Sequence, residues 1–360
     1  MKPQSLLQLC GLALLIAVLP ACNSGVSIFP TAISPTATSL SPGVNRITFY
    51  VTGSENDVYV VNADGSHLTR LAENAAHPSW SPDGRYIAFL SDAVYLINAE
   101  GNNWIHLADL DVDSNLAWSP NGYQIVLSSF KNDGAGKIYL INNIEESLQG
   151  KGKLGGSHIR LNRQGVNAQN IVWSPDGRQI AFYYRRDLDS PHEIAVLNVE
   201  EALQSADGAD WTYLTEGEMP AWSPDGKKIA FSGYQNGNYD IYVMEADGNN
   251  ETRLTQTPAD DWPPAWSPDG QRIAFFSKQG SQAGLYVMNA DGSNSTRLIE
   301  SLNYASYLTW SPDGQQIAFL SGPDSLNGSL YVMNADGSHL LRLTDSSLPL
   351  WPQVPAWSPR

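Results

Sequence analysis

Short apolar runs alternate with polar turns along most of the chain. The clearest unit covers residues 266–309, where two apolar runs, 273–276 and 285–288, flank a polar loop at 278–284. Runs of β-branched and aromatic residues bounded by Gly, Pro, Asn and Asp predict strands. Because both runs are apolar at consecutive positions, they predict a sheet that is buried on both faces.

Two turn motifs separate the strands of this unit. Trp-Ser-Pro-Asp-Gly occupies residues 266–270, and Asn-Ala-Asp-Gly occupies residues 289–292. Proline presets φ for an early turn position, aspartate bonds nearby backbone, and glycine accepts a positive φ. Each unit is therefore predicted to form a four-stranded antiparallel meander.

The Trp-Ser-Pro motif occurs seven times, at intervals of 38 to 55 residues. This spacing is typical of propeller blades. We therefore predict an all-β fold, a seven-bladed β-propeller of four-stranded antiparallel blades. The motif tryptophans are predicted to form the repeated structural core: Trp80, Trp118, Trp173, Trp222, Trp266, Trp310 and Trp357.

The predicted propeller covers residues 46–360 and begins and ends in the middle of a repeat. Residues 47–50 match a second strand without a first strand, whereas residues 354–359 match a first strand with no second strand. Together the two fragments make one blade. Pairing the N- and C-terminal strands in that blade would close the ring and remove exposed sheet edges.

The segment before the repeats resembles an export signal with a tether. Residues 1–21 have one charge, Lys2, and an apolar stretch too short to span a membrane comfortably. Leu-Pro-Ala-Cys at residues 19–22 resembles a bacterial lipobox, which implies cleavage before Cys22 and lipid attachment to it. The alternative is an ordinary secretory signal. Residues 22–45, rich in Ser, Thr and Pro, are predicted to be a flexible tether that follows the lipidated cysteine.

These repeats resemble those of the TolB β-propeller family. The resemblance rests on Trp-Ser-Pro-Asp-Gly-x-x-Ile-Ala-Phe, followed by Tyr-Val-Met-Asn-Ala-Asp-Gly-Ser and Arg-Leu-Thr, and extends over about residues 46–360. TolB carries an α/β domain before its propeller, whereas this chain has the tether there. The same repeat occurs in propellers attached to prolyl-oligopeptidase-type hydrolases and tricorn-type proteases. The resemblance implies a WD40-like binding or scaffold protein of the bacterial cell envelope, anchored by lipid in the periplasm or at the cell surface.

No catalytic motif is found in the sequence. There is no Gly-x-Ser-x-Gly nucleophile motif, and the six histidines are scattered without metal-ligand spacing. Turn aspartates occur once per turn rather than in a calcium loop, so they are interpreted as structural. We predict no enzyme activity, no cofactor and no metal. The alternative is a carbohydrate- or small-molecule-active propeller, a lyase or hydrolase with a dispersed site in the central funnel, as in TolB-like oligogalacturonate lyases.

The charge balance disfavours nucleic acid as a partner. The chain has 37 acidic and 21 basic residues, a net charge of −16. Binding to phosphates needs a basic surface, whereas an acidic one favours basic partners. We expect a monomer that binds an envelope protein or peptide.

The connection into each first strand and the loop after each second strand are expected on one face. Acidic and aromatic residues in these connections form the candidate ligand face: His77, Asp111, Asp113, Glu216, Glu218, Asp260, Asp261, Trp262, Tyr304, Tyr307 and Trp351. The loops 185–193 and 234–240 belong to the same face. Large aromatic side chains dominate many interfaces, which favours binding of protein or peptide. The alternative is that the aromatic residues fill the channel.

Overall fold

The computed structural model describes residues 45–51, 56–110, 115–129, 136–142, 144, 148, 158–187, 189–235, 237–280, 282–323, 328–344 and 355–359. The predicted signal peptide, Cys22 and all of the predicted tether except residue 45 lie outside these residues. Among the described residues, no helix has the length and apolar character needed to cross a membrane.

The described strands form seven four-stranded sheets, as the repeats predict. Blade 1 contains β1 (Arg46–Val51), β2 (Asp57–Asn62), β3 (Thr69–Ala72) and the C-terminal β28 (Ala356–Trp357). Blade 2 contains β4 (Ala76–Trp80), β5 (Tyr86–Leu90), β6 (Val94–Asn98) and β7 (Trp104–Ala108). Blade 3 contains β8 (Leu116–Trp118), β9 (Ile125–Ser129), β10 (Lys137–Ile141) and β11 (His158–Arg160).

The remaining four blades repeat the same order. Blade 4 contains β12 (Gln169–Trp173), β13 (Gln179–Tyr184), β14 (Glu193–Asn198) and β15 (Thr212–Glu216). Blade 5 contains β16 (Glu218–Trp222), β17 (Lys228–Gln235), β18 (Asn238–Glu245) and β19 (Thr252–Arg253). Blade 6 contains β20 (Asp260–Trp266), β21 (Arg272–Gln279), β22 (Gln282–Asn289) and β23 (Thr296–Leu302), and blade 7 contains β24 (Tyr304–Trp310), β25 (Gln316–Gly322), β26 (Ser329–Asn334) and β27 (Leu341–Arg342).

The first strands line the centre of the propeller. β4, β8, β12, β16, β20, β24 and β28 each contact the next one, and β28 contacts β4, so the contacts complete a circle. Within each sheet neighbouring strands are antiparallel. This confirms a closed, seven-bladed propeller.

The ring closes in blade 1, where the two ends of the chain meet. Ile47 pairs with Trp357 and Thr48 pairs with Ala356 in antiparallel register. The Ser358 amide donates to the Arg46 carbonyl at 2.7 Å. The predicted pairing of N- and C-terminal strands is therefore confirmed.

The hydrophobic core lies between adjacent blades. Phe89, Phe182, Phe231 and Phe319 occupy the same second-strand position of four blades, and each is almost fully buried. One cluster joins Val126 of blade 3 to residues of blade 4 such as Phe182. Because each sheet is covered on both faces, its second and third strands are apolar at consecutive positions.

The motif tryptophans join neighbouring blades by hydrogen bonds. In five of them Nε1 donates to the carbonyl just before the tryptophan of the preceding blade, as from Trp118 to Ser79 at 3.1 Å. Five tryptophans are buried, whereas Trp222 and Trp266 are half-buried. Nε1 of Trp80 and of Trp222 has no acceptor among the described residues.

The turn aspartates bond within their own turns. Asp176 Oδ1 accepts from the Ser174 hydroxyl at 2.7 Å and from the Arg178 amide at 3.1 Å. The bond from Ser174 is the main cause that holds the pKa of Asp176 below its usual range. In blade 3, Asn121 accepts from Ser119 at the same distance, 2.7 Å. These contacts agree with the structural role predicted for the turn aspartates.

A short helix, α1 (Val199–Gln204), follows β14. Asn198 caps it, because the Asn198 side chain accepts from the Glu201 amide at 3.1 Å.

Candidate functional site

The strand register brings the candidate connections to one face of the propeller, called here the top face. Glu218 pairs with Ser232, Asp260 with Lys278, and Tyr304 with Gly322. The start of each of these first strands thus lies beside the end of its second strand. This register agrees with the prediction that the connection into each first strand and the loop after each second strand lie on one face.

Glu218 is the centre of a polar cluster on the top face, at the start of β16. Its Oε1 accepts from the Tyr239 hydroxyl at 2.8 Å and forms a short contact with Nδ1 of His192. The ring of Tyr183 meets the His192 ring edge-on, with centroids 5.0 Å apart. Tyr183, His192, Glu218 and Tyr239 are called the top-face cluster, which joins blades 4 and 5.

The top-face cluster keeps its two phenols protonated. Burial, followed by the hydrogen bond to Glu218, raises the pKa of Tyr239 above its usual value. Burial, followed by the charge of Glu218 and then Tyr307, raises the pKa of Tyr183. At neutral pH both side chains are therefore neutral hydrogen-bonding groups beside a carboxylate.

Asp260 of blade 6 adjoins the top-face cluster through Tyr239. Asp260 Oδ1 accepts from the Tyr239 amide at 3.1 Å. The Asn238 side chain holds the same hairpin by donating to the Ala259 carbonyl at 2.8 Å. The backbone and the hydroxyl of Tyr239 thus bond two carboxylates, Asp260 and Glu218, of different blades.

Several first strands contain a bulge in which one residue has a positive φ. His77, Asn170, Met219 and Tyr307 lie three positions before their tryptophans and have φ values of 54°, 48°, 55° and 46°. Positive φ is rare for bulky side chains and marks local strain. Tyr307 is half-buried and packs against the core between blades 7 and 1, which favours the alternative that it fills space.

The other candidate residues are dispersed. His77 bonds to Asn115 at 2.9 Å in blade 3, away from the top-face cluster. Glu216 is exposed at the end of β15, the outer strand of blade 4, where it pairs with Glu193. Trp262 and Tyr304 are half-buried on the first strands of blades 6 and 7.

Asp261, unlike its neighbour Asp260, is fully buried. Asp111, Asp113 and Trp351 lie outside the described residues.

The partners of Glu218 could not be recognised from the sequence. His192 and Tyr239 fall in the two loops assigned to this face, but the histidines were considered scattered. His192 and Glu218 are 26 residues apart and belong to different blades. Tyr183 lies inside an apolar strand, where no sequence signal separates it from the core residues around it.

The described residues contain no group of three or more His, Cys, Asp or Glu side chains arranged to hold a metal ion. The top-face cluster combines one carboxylate, one imidazole and two phenols. Such groups can bind a cationic or strongly polar ligand by hydrogen bonds. A histidine beside a carboxylate can also transfer protons.

A large cavity lies at the opposite face of the propeller, among turns of blades 7, 1 and 2. It has a volume of about 1460 Å³, and its lining includes Arg46, Asp64, Arg85, Glu100 and Asp313. Most of this lining belongs to the turn scaffold that recurs in the blades. The top-face cluster is therefore the stronger candidate for a specific site.

Comparison with known proteins identifies similar repeats. The model of the TolB beta propeller domain matches residues 172–360. An uncharacterized protein of Agrobacterium fabrum, Atu1656, is 26% identical over 194 residues, which are 51% of this chain and 59% of that protein. The uncharacterized peptidase YuxL of Bacillus subtilis is 23% identical over 177 residues, 39% of this chain and 27% of that protein. The matched regions thus cover less than two thirds of each of these relatives.

Solved structures show the same fold. The structure of TolB from Acinetobacter baumannii superposes with a TM-score of 0.51 at 18% identity, covering 88% of this chain and 67% of that one. At this identity the likeness concerns the fold alone.

Proposed function

The chain belongs to the TolB β-propeller family, and from this premise we propose that it is a non-catalytic binding protein of the bacterial cell envelope. Its top face would bind a protein or peptide. The observation that carries this proposal is the top-face cluster together with Asp260 beside it, because Glu218 and Asp260 bond the same tyrosine, Tyr239. The envelope location is part of the proposal and rests on the resemblance of residues 1–22 to a lipoprotein signal.

A basic peptide suits this face best. Glu218 and Asp260 place two carboxylates beside hydrogen-bonding phenols. The net charge of −16 attracts cationic partners over longer distances. Exposed Tyr234 stacks edge-on against Tyr239 with centroids 5.0 Å apart, which adds an aromatic contact surface. Lysine, arginine and a free amino terminus are the peptide groups that this chemistry favours.

Selection from a phage-displayed random peptide library tests this proposal. The purified protein is expected to enrich peptides that contain lysine or arginine. Glu218→Gln should weaken binding of an enriched peptide by about tenfold or more, because charged hydrogen bonds contribute about 1.5–3 kcal/mol. Glu200→Gln, the same change on α1, should bind that peptide as the unmodified protein does. Enriched peptides that bind Glu218→Gln at full strength would contradict the assignment to this face.

Membrane attachment depends on Cys22 in this proposal. Cys22→Ser should move the protein from the membrane fraction to the soluble fraction, because lipid attachment supplies the anchor. Immunoblots of fractionated cells measure this distribution. Retention of Cys22→Ser in the membrane fraction would rule out the lipoprotein assignment.

A carbohydrate- or small-molecule-active site is the second candidate function. The contact between His192 and Glu218 favours it, because a histidine–carboxylate pair can serve as acid and base. Mass spectrometry of peptide and oligosaccharide mixtures incubated with the protein tests it. Turnover that is lost in His192→Gln would support an enzyme. Unchanged mixtures would favour the binding role.

A further inference from the structure

Asp261, the second residue of β20, is buried without a partner. The residue has 0% exposure, and neither carboxylate oxygen has a hydrogen-bond partner of good geometry among the described residues, although the Ser277 and Thr255 hydroxyls are close enough to affect its pKa. Its neighbour Asp260, in contrast, bonds to the Tyr239 amide. A buried, unpaired carboxylate is costly, so its presence needs a physical reason.

The propeller fold does not require an acid at this position. Asp261 lies five residues before its motif tryptophan and pairs with Ser277. The equivalent residues of blades 2, 4, 5 and 7 are all small: Ala75, Ala168, Gly217 and Ala305. In blades 1 and 3 the equivalent residues, Pro352 and Asp113, lie outside the described residues. Blade 6 is therefore the one blade with a described carboxylate at this position, and the four small equivalents show that the blade itself does not need one.

Asp261 lines a cavity of about 400 Å³ between blades 5 and 6. The hydroxyl-bearing residues Thr255 and Ser277 line it, as does Gln282. The lining also includes Arg297 and Glu300, both from β23. The cavity therefore contains groups of both charges and is large enough for a small organic molecule.

Gly284 also lines this cavity. In blades 1, 5 and 7 the equivalent third-strand residue carries a side chain that contacts the arginine of the fourth strand. Asp240, for example, pairs with Arg253 at 2.5 Å. Gly284 has no such side chain, and an added Cβ would lie 2.8 Å from the Tyr286 ring and 3.0 Å from the Ile299 carbonyl, because these groups pack closely against the glycine.

Arg297 consequently pairs at the surface instead. Its Nη2 lies 3.0 Å from Oε1 of Glu300, and the side chains are 45% and 86% exposed. Ion pairs this exposed contribute little to stability, so a ligand carboxylate can compete with Glu300 for the guanidinium. Blade 6 thus offers a buried anion and an exchangeable cation in one cavity.

We propose that this cavity binds a free α-amino acid with an apolar side chain. The ammonium group would bind Asp261 and the nearby hydroxyls, and the carboxylate would bind Arg297. Leu254, Phe275 and Met288 line the same cavity and supply an apolar wall for the side chain. This site is separate from the proposed top-face function and does not depend on it.

An organic ammonium fits better than a metal ion. Calcium takes six to eight oxygen ligands, commonly several carboxylates. Among the described residues no group of three potential metal ligands is found, and Asp261 is the one buried carboxylate lining this cavity. An ammonium group needs only a few acceptors, which one carboxylate and two hydroxyls provide.

Thermal unfolding of the full protein with L-leucine tests the proposal. L-leucine at about 10 mM should raise Tm, because a ligand that binds only the folded state stabilises it. N-acetyl-L-leucine, which lacks the ammonium, and isoamylamine, which lacks the carboxylate, should each give a much smaller rise. Calorimetric titration should show at least tenfold weaker binding of L-leucine to Asp261→Asn, whereas Glu200→Gln should bind as the unmodified protein does.

Three results would overturn the proposal. The first is the absence of a Tm rise with any of the standard L-amino acids. The second is binding of L-leucine to Asp261→Asn at full strength. The third is an equal rise with isoamylamine or potassium chloride, which would assign a simple cation site. Asp261→Asn is expected to fold normally, because removing this buried charge should stabilise the protein. Weaker binding by this variant would therefore reflect the loss of the carboxylate.

Discussion

Trp310→Ala is expected to lower the free energy of unfolding by about 3–5 kcal/mol, the usual cost of removing a large core aromatic side chain. Trp310 is 6% exposed, and its Nε1 donates to the Ala265 carbonyl of blade 6 at 3.1 Å. The Arg272 guanidinium lies 4.7 Å from its ring centroid. The substitution therefore leaves a cavity and removes a bond between blades at the same time. Urea unfolding followed by fluorescence measures the change.

Two variants separate these contributions. Trp310→Phe keeps an aromatic ring without the Nε1 donor and should cost less than Trp310→Ala. Trp222→Ala should also cost less, because Trp222 is half-buried and its Nε1 has no acceptor among the described residues. Equal unfolding midpoints for Trp310→Ala and the unmodified protein would refute the role of this residue.

Asp261→Ala is expected to stabilise the protein by about 3 kcal/mol at pH 7.5. Burial is the first cause that raises the pKa of Asp261 from its ordinary value of 3.8 to about 6. One pKa unit corresponds to about 1.4 kcal/mol. The charges of Asp240 and Asp260 add to the rise, and the hydroxyls of Ser277 and Thr255 oppose it. Arg297 and Glu300 face the same cavity from β23.

The pH dependence of this effect has a definite sign. Because the folded-state pKa is raised, the folded protein holds the proton more tightly than the unfolded chain does. The penalty is therefore complete above about pH 6 and disappears as the pH falls toward 4. Thermal unfolding of both proteins between pH 4 and pH 8 should show a gain for Asp261→Ala that shrinks with acidity.

Asp225→Ala provides the opposite case. The Ser223 hydroxyl, as the main cause, holds the pKa of Asp225 below its usual range. Asp225→Ala removes this carboxylate and should therefore destabilise the protein at neutral pH. The loss of stability should fade only below about pH 4, where the carboxylate becomes protonated.

A lower stability of Asp261→Ala than of the unmodified protein at pH 7.5 would show that the buried carboxylate has a partner that stabilises it.

The repeats predicted the architecture because their information is local. Ser174, Asp176 and their equivalents satisfy one another within a few residues, so each turn can be recognised without its neighbours. The chain ends supplied complementary strands, which predicted the pairing of Ile47 with Trp357. Apolar second and third strands predicted sheets that are covered on both sides.

The candidate site was less predictable because its contacts join different blades. His192 reaches Glu218 from the loop of the preceding blade. Asp260 and Asp261 were assigned to one face, but consecutive strand residues point to opposite sides. A register shift between Trp262 and Ala265 further disturbs the alternation in β20. Comparing the repeats position by position places both Asp261 and Asp113 where four other blades have small residues, but it does not show the cavity beside Asp261.

Photo-crosslinking in living cells tests the top-face binding role most directly. Benzoylphenylalanine would replace Tyr234, which is 58% exposed beside the top-face cluster, or Tyr123, which is 55% exposed in the turn after the blade 3 motif. If the top face binds a partner, position 234 gives a discrete adduct that is lost when Glu218→Gln is added, and position 123 gives no adduct. An adduct from position 123 alone, or an adduct from position 234 that persists in Glu218→Gln, would contradict it.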